Sequence, residues 1–273
     1  MTLALSQLYR GPLDFLTPPR IEATPGDDVI AASHLLDPAY LDALLERYGA
    51  QYGHGDRRAV ASLWSKWHFA GLAAHGLATN LLLERDLPLG VDELHVVQTP
   101  EGQTAGFSLR HAGRPLAELD GLGRFATLLD GHLIPLIETL AAVSGASPKV
   151  FWSNAGSYVD YFAGAMADHP MGSPAAAEPG LALISTRHLP DGRRNPLYQA
   201  VRHVVPADPE APTRMPKTCC IRYLLDDLGY CANCPLECRR KAKAAKAAQT
   251  AQTAQTAQTA QTAQTATVER TAP

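Results

Sequence analysis

The chain is 273 residues long, 46% hydrophobic and 19% charged, with a formal net charge of −3. This is a globular composition, long enough to bury about three quarters of the unfolded surface without a disulfide scaffold. Its mild acidity disfavours a nucleic-acid wrapper or a basic membrane-surface protein.

No stretch offers the roughly 18 uninterrupted apolar residues of a membrane span. Leu133 to Val143 comes nearest and is interrupted by Pro135 and Glu138. The first residues, MTLALSQLYRGPLDF, carry no basic segment ahead of their apolar ones, so no signal peptide is expected and the default location is the cytoplasm. Peripheral membrane association stays open.

In chain order, Asp37-Pro38 predicts a helix with a capping side chain and a first-turn proline, closed at Gly49. Asp56 caps a second, with Val60, Leu63, Trp64, Trp67 and Phe69 at helical spacing and breaks expected near Gly71 and Gly76 before it ends around Leu87. Residues 94–99 and 104–110 flank Pro100-Glu101-Gly102-Gln103 and read as a hairpin. Arg124 to Val143 reads as a helix kinked at Pro135, and Ser147-Pro148 opens another through FWSNAGSYVDYFAGAMA. Residues 168–180 are expected to be a Pro/Gly-rich loop, with LALIST (181–186) and QAVRHVV (199–205) as strands. From Ala248 the triplet AQT repeats six times without a large apolar residue, which predicts a disordered or fraying tail. The fold class is α+β, mostly helical, with a small antiparallel sheet and a C-terminal cysteine-rich segment. The expected domains are a body over 1–210, a metal-binding segment over 211–240 and a low-complexity tail over 241–273.

Few motifs carry chemistry. Gly121-Leu-Gly-Arg-Phe-Ala126 has nominal dinucleotide spacing, but the polar LAELD before it is no buried parallel strand. His68 and His75 lie seven residues apart, a spacing more often met in hydrogen-bonded histidines than in metal ligands.

The cysteines are different. All five fall in one window: Cys219, Cys220, Cys231, Cys234 and Cys238. An odd, clustered set disfavours a disulfide framework and leaves a metal site, an iron–sulfur site or a redox pair. Charge gathers there as well. From Ala211 onward nine lysines and arginines face four acids, a net +5, against −8 for the rest of the chain. C-x-x-C lets two thiolates converge, whereas the side chains of neighbouring cysteines diverge. A dinuclear centre tolerates that divergence better than one zinc ion, so a [2Fe–2S] cluster is favoured and zinc remains the alternative.

The spacing CC-x10-C-x2-C, embedded as KTCCIRYLLDDLGYCANCP, resembles the C-terminal end of FhuF-type ferric siderophore reductases. WSNAG (152–156) and NPLY (195–198) are similar to segments of that family, in the same order, and the resemblance spans roughly residues 50 to 236. It implies a [2Fe–2S] cluster on Cys219, Cys220, Cys231 and Cys234, with Cys238 an extra thiol and the AQT tail without counterpart. It further implies one-electron reduction of a ferric siderophore, of hydroxamate type, with Fe(II) released in the cytoplasm. The electrons are expected from a separate ferredoxin or flavin reductase, because no flavin or nucleotide motif is present. Trp152, Asn154, Tyr158 and Arg187 are the expected substrate contacts, and Arg222, between the ligand pairs, is expected to raise the cluster's potential. The competing reading is a non-catalytic iron–sulfur sensor or a zinc-stabilised binding module.

Overall fold

The longest buried element follows from one capping residue and an apolar run. Asp56 accepts hydrogen bonds from the backbone N–H groups of Arg58 and Ala59, and a single helix, α3, runs from Arg57 to Leu83. A computed structural model describes residues 2–21, 28–117, 121–204 and 213–270, with side chains described for 5–255 of these. Upstream lie α1 (Thr2–Gln7) and α2 (Pro38–Gly49), the latter capped by Asp37 and closed at Gly49 as its sequence predicts. The breaks expected at Gly71 and Gly76 do not occur. These glycines instead permit close packing, since a Cβ at Gly71 would sit 2.6 Å from Phe107 and one at Gly76 2.9 Å from Leu89.

Beyond α3 come α4 (Ala126–Leu128), α5 (Ile134–Ser144), α6 (Pro148–Ala165), α7 (Pro174–Ser185) and α8 (Pro235–Arg270). The kink expected at Pro135 is a π turn over Leu129–Leu133 leading into α5. Proline lacks the N–H of a regular helix and crowds the carbonyl four residues back, which a wider turn relieves. The stretch Leu122–Ser144 is long and apolar enough to cross a membrane by length and composition alone. Here its Leu128, Leu129, Leu133, Leu136, Ile137 and Leu140 lie in the hydrophobic core.

The loop expected over 168–180 holds for 168–173, but the rest of it and the strand expected over 181–186 are replaced by α7. Ser173 caps it by accepting the Ala176 N–H, Pro174 supplies the first-turn proline, and Leu183 is buried. Gly180 allows a close crossing, because a Cβ there would meet Ala163 at 2.8 Å and Leu81 at 2.9 Å. Packing against α6 and α3 outweighs the β propensity of LALIST.

The strands are β1 (Arg20–Ile21), β2 (Val29–Ala31), β3 (Arg85–Asp86), β4 (His95–Gln98), β5 (Thr104–Leu109), β6 (Arg114–Pro115), β7 (Val201–His203) and β8 (Arg214–Pro216). The hairpin β4–β5 centres a four-stranded sheet of order β1-β5-β4-β2, in which only β1–β5 is parallel. Two-stranded antiparallel pairs β3–β6 and β7–β8 complete an α+β fold. The domain boundary expected at 210–211 falls in 205–212, outside the described residues. The backbone expected to fray at the C-terminus is helical as far as Arg270, as alanine, glutamine and lysine favour. Every described side chain from Arg239 to Gln255 is exposed.

Candidate functional site

The thiols converge because two short segments are pinned to the helical body. Leaving β8, Ser153 of α6 donates to the Thr218 carbonyl at 3.0 Å and accepts its N–H at 3.2 Å. Ser62 of α3 donates to the Cys220 carbonyl at 2.7 Å. Asn154 joins the two helices behind this contact, its amide donating to the Ser62 carbonyl and to the hydroxyls of Ser62 and Ser65 at 3.0–3.1 Å. Ile221 then turns left-handed with φ of 52°, a costly conformation for a β-branched residue, and donates its N–H to Cys219 Sγ at 3.3 Å. Arg222 folds over the loop, donating to the carbonyls of Gly229 and Leu228.

The result pairs one thiol of each half with one of the other. Cys219 Sγ lies 3.5 Å from Cys234 Sγ, and Cys220 Sγ lies 3.8 Å from Cys231 Sγ. Two thiolates on one tetrahedral metal with bonds near 2.3 Å stand about 3.8 Å apart, so each pair has the span of a shared metal. The adjacent cysteines thus serve different partners. Cys219, Cys220 and Cys234 are buried and Cys231 is half-buried. Cys238 sits one turn into α8, its N–H donating to the Cys234 carbonyl. Crowding splits the acidities. Side-chain hydrogen bonding with Cys219 and Cys231 lowers the Cys220 thiol, while the same bonding, followed by burial, pushes Cys219 and Cys231 up. Metal ligation requires thiolates, so loading this site releases the remaining protons.

A cavity of about 640 Å³ opens beside the thiols, and Cys220 and Cys231 form part of its wall. Trp67, Phe107, Tyr158, Tyr161 and Phe162 give it an aromatic lining. Lys66 and Arg214 are its cations, and no aspartate or glutamate is among the described lining residues. Arg214 is neutralised by Asp160, which also accepts from His203 at 2.8 Å. His75 reaches the cavity with its Nδ1 2.7 Å from the Tyr9 hydroxyl, and burial lowers its pKa to about 4.

Of the expected substrate contacts, Tyr158 and Asn154 line the cavity. Burial raises the Tyr158 hydroxyl to about 12. Asn154 has its amide committed to Ser62 and Ser65, which makes it a strut between helices. Trp152 is half-buried against the core and Arg187 is exposed beyond α7; neither lines the cavity. Lys66 is not among the site residues expected from sequence. Helical spacing makes Trp67 a core residue by default, yet it is 52% exposed while Trp64 is fully buried. The segments WSNAG and NPLY both make packing and hydrogen-bond contacts within the body. Asn195 donates to the carbonyls of Leu183 and Thr186, and Gly156 admits Ala200 where a Cβ would lie 2.2 Å away.

Two close pairs of thiols, braced beside an aromatic cavity, supply the all-thiolate donors of an iron–sulfur redox centre, a donor set that a four-cysteine zinc site would share. A family model described as "Ferric iron reductase FhuF-like transporter" matches residues 62–211, and the "FhuF 2Fe-2S C-terminal domain" matches residues 217–236. The second match spans Cys219, Cys220, Cys231 and Cys234 and stops short of Cys238. A ferric siderophore reductase of Escherichia coli (strain K12) is 26% identical over 183 residues, 67% of either chain. The chain belongs to the FhuF-like family: it is an oxidoreductase acting on ferric iron, with a [2Fe–2S] cluster as its cofactor.

Proposed function

We propose that the protein is a ferric siderophore reductase, with Cys219, Cys220, Cys231 and Cys234 holding the cluster and the adjoining cavity receiving the chelate. The observation that carries this reading is the shared wall: Cys220 and Cys231 belong both to the thiol group and to the cavity. The cluster supplies one electron, the stoichiometry of Fe(III) to Fe(II). Hard oxygen donors bind ferrous iron more weakly than ferric, so that single electron loosens the metal and leaves the chelator intact.

The protein's own residues bind and position. The rings of Trp67, Tyr158 and Tyr161 offer apolar faces to a chelator's hydrocarbon arms. A lining without described carboxylates places no competing carboxylate oxygen beside the ferric ion. That chemistry suits a hydroxamate-type siderophore. An external ferredoxin or flavin reductase would supply electrons, with Fe(II) released in the cytoplasm.

Gallium(III) tris-hydroxamate, a redox-inert mimic of the ferric complex, tests the cavity directly. Saturable quenching of tryptophan fluorescence is expected, and Trp67→Phe should remove most of it. Quenching that persists undiminished in Trp67→Phe would place the chelate elsewhere.

A further inference from the structure

The charge in the cavity is unevenly compensated. Arg214 is spent on Asp160, whereas Lys66 makes no ion pair among the described residues. Lys66 follows Ser62 by four residues on α3, so both side chains share one helical face. Ser62 is the residue whose hydroxyl grips the Cys220 carbonyl. Lys66 therefore stands one turn from the contact that pins the adjacent cysteines, in the same cavity wall as Cys220 and Cys231. It brings an uncompensated positive charge to the wall that both of these thiols share. Arg222, expected from sequence to play this role, has its guanidinium tied to the Gly229 and Leu228 carbonyls and braces the loop.

We propose that Lys66 is the counter-charge of the thiolate centre on its cavity side, a positioning residue that raises the reduction potential and so sets the driving force for electron delivery. A centre with four thiolate ligands is anionic and gains a further negative charge on reduction. A cation fixed beside two of the ligands stabilises the reduced form more than the oxidised one. In a half-buried setting that interaction is screened less than a surface pair would be. The inference rests on the four-cysteine ligand assignment but not on the identity of the chelate.

The test is a spectroelectrochemical titration of the cluster-loaded protein with no chelate present. Lys66→Gln is expected to disfavour the reduced form about tenfold, equivalent to about 59 mV for one electron. Lys66→Arg should restore most of that shift, and Lys149→Gln, at an exposed lysine that does not line the cavity, should shift nothing. A Lys66→Gln protein with an intact visible spectrum and an unchanged potential would overturn the inference, as would a Lys66→Arg protein as low as Lys66→Gln. Because no siderophore enters the titration, a lowered potential in a protein that reduces no ferric chelate would uphold the role of Lys66 and sink the siderophore reading instead.

Discussion

At the residue scale, the five cysteines separate into four that meet and one that does not. Cys219–Cys234 and Cys220–Cys231 are the close pairs, and Cys238 lies one helical turn beyond Cys234 without joining either. Cys238→Ser should therefore keep the visible spectrum and the iron and sulfide content, whereas serine at any of the other four should bleach or markedly shift the spectrum. Loss of the cluster in Cys238→Ser alone would contradict this ligand assignment. Asn154 makes a second case. Its buried amide serves Ser62 and Ser65, so Asn154→Ala should lower unfolding free energy in urea by about 1–3 kcal/mol, the cost of orphaning buried polar groups. The cysteine pattern was legible because adjacent thiols followed by C-x-x-C have few other uses. The surroundings were not, because the i, i+4 relation of Ser62 and Lys66 acquires meaning only once the Cys220 carbonyl lands on Ser62.

At the element scale, caps and prolines placed the helix starts well. Asp37, Asp56 and Ser147 each cap the helix that their sequence context predicts. The hairpin β4–β5 was equally readable from two alternating runs around a turn. Misreadings arose where glycine serves packing. Gly71 and Gly76 look like breaks in sequence and are close contacts with Phe107 and Leu89 in space. LALIST is β-rich in composition, yet it completes α7, whose capping Ser173 and buried Leu183 outweigh local propensity. The C-terminal helix α8 presents no described buried side chain between Arg239 and Gln255. Truncation after Lys246 should accordingly leave melting temperature and cluster content nearly unchanged. A fall of many degrees would show that the AQT segment packs against the body.

At the scale of the whole molecule, buried histidines tie the core to the cavity. The Thr104 hydroxyl meets His68 Nδ1 at 2.9 Å, His68 Nε2 meets His132 Nε2 at 2.9 Å, and His132 Nδ1 meets the Leu89 carbonyl at 2.6 Å. A carbonyl only accepts, so His132 Nδ1 carries a proton and the neutral chain runs in one direction from Thr104 to Leu89. Burial depresses three of the buried histidines, His75 and His132 to about 4 and His68 well below its usual value. Between pH 6.5 and 4 the unfolded chain therefore binds protons that the folded chain refuses. Stability should fall as pH drops through that window, by about 1.4 kcal/mol per pH unit per histidine. Urea unfolding of the wild type and of His75→Phe at pH 7 and pH 5 reads this directly. The variant should show a shallower loss by about one proton, and equal slopes would contradict a neutral, buried His75.

Delivery of one electron to a ferric chelate in the cavity beside Cys220 and Cys231 is the reaction proposed. Its most direct test is an anaerobic stopped-flow experiment. Stoichiometrically reduced protein is mixed with a ferric tris-hydroxamate in the presence of a ferrous trap, and the visible spectrum is followed through a single turnover. Reoxidation of the protein should match the appearance of trapped Fe(II) one to one, and an excess of the gallium(III) chelate should slow both together. Protein that stays reduced with every ferric chelate offered, or that reoxidises without yielding Fe(II), would contradict it.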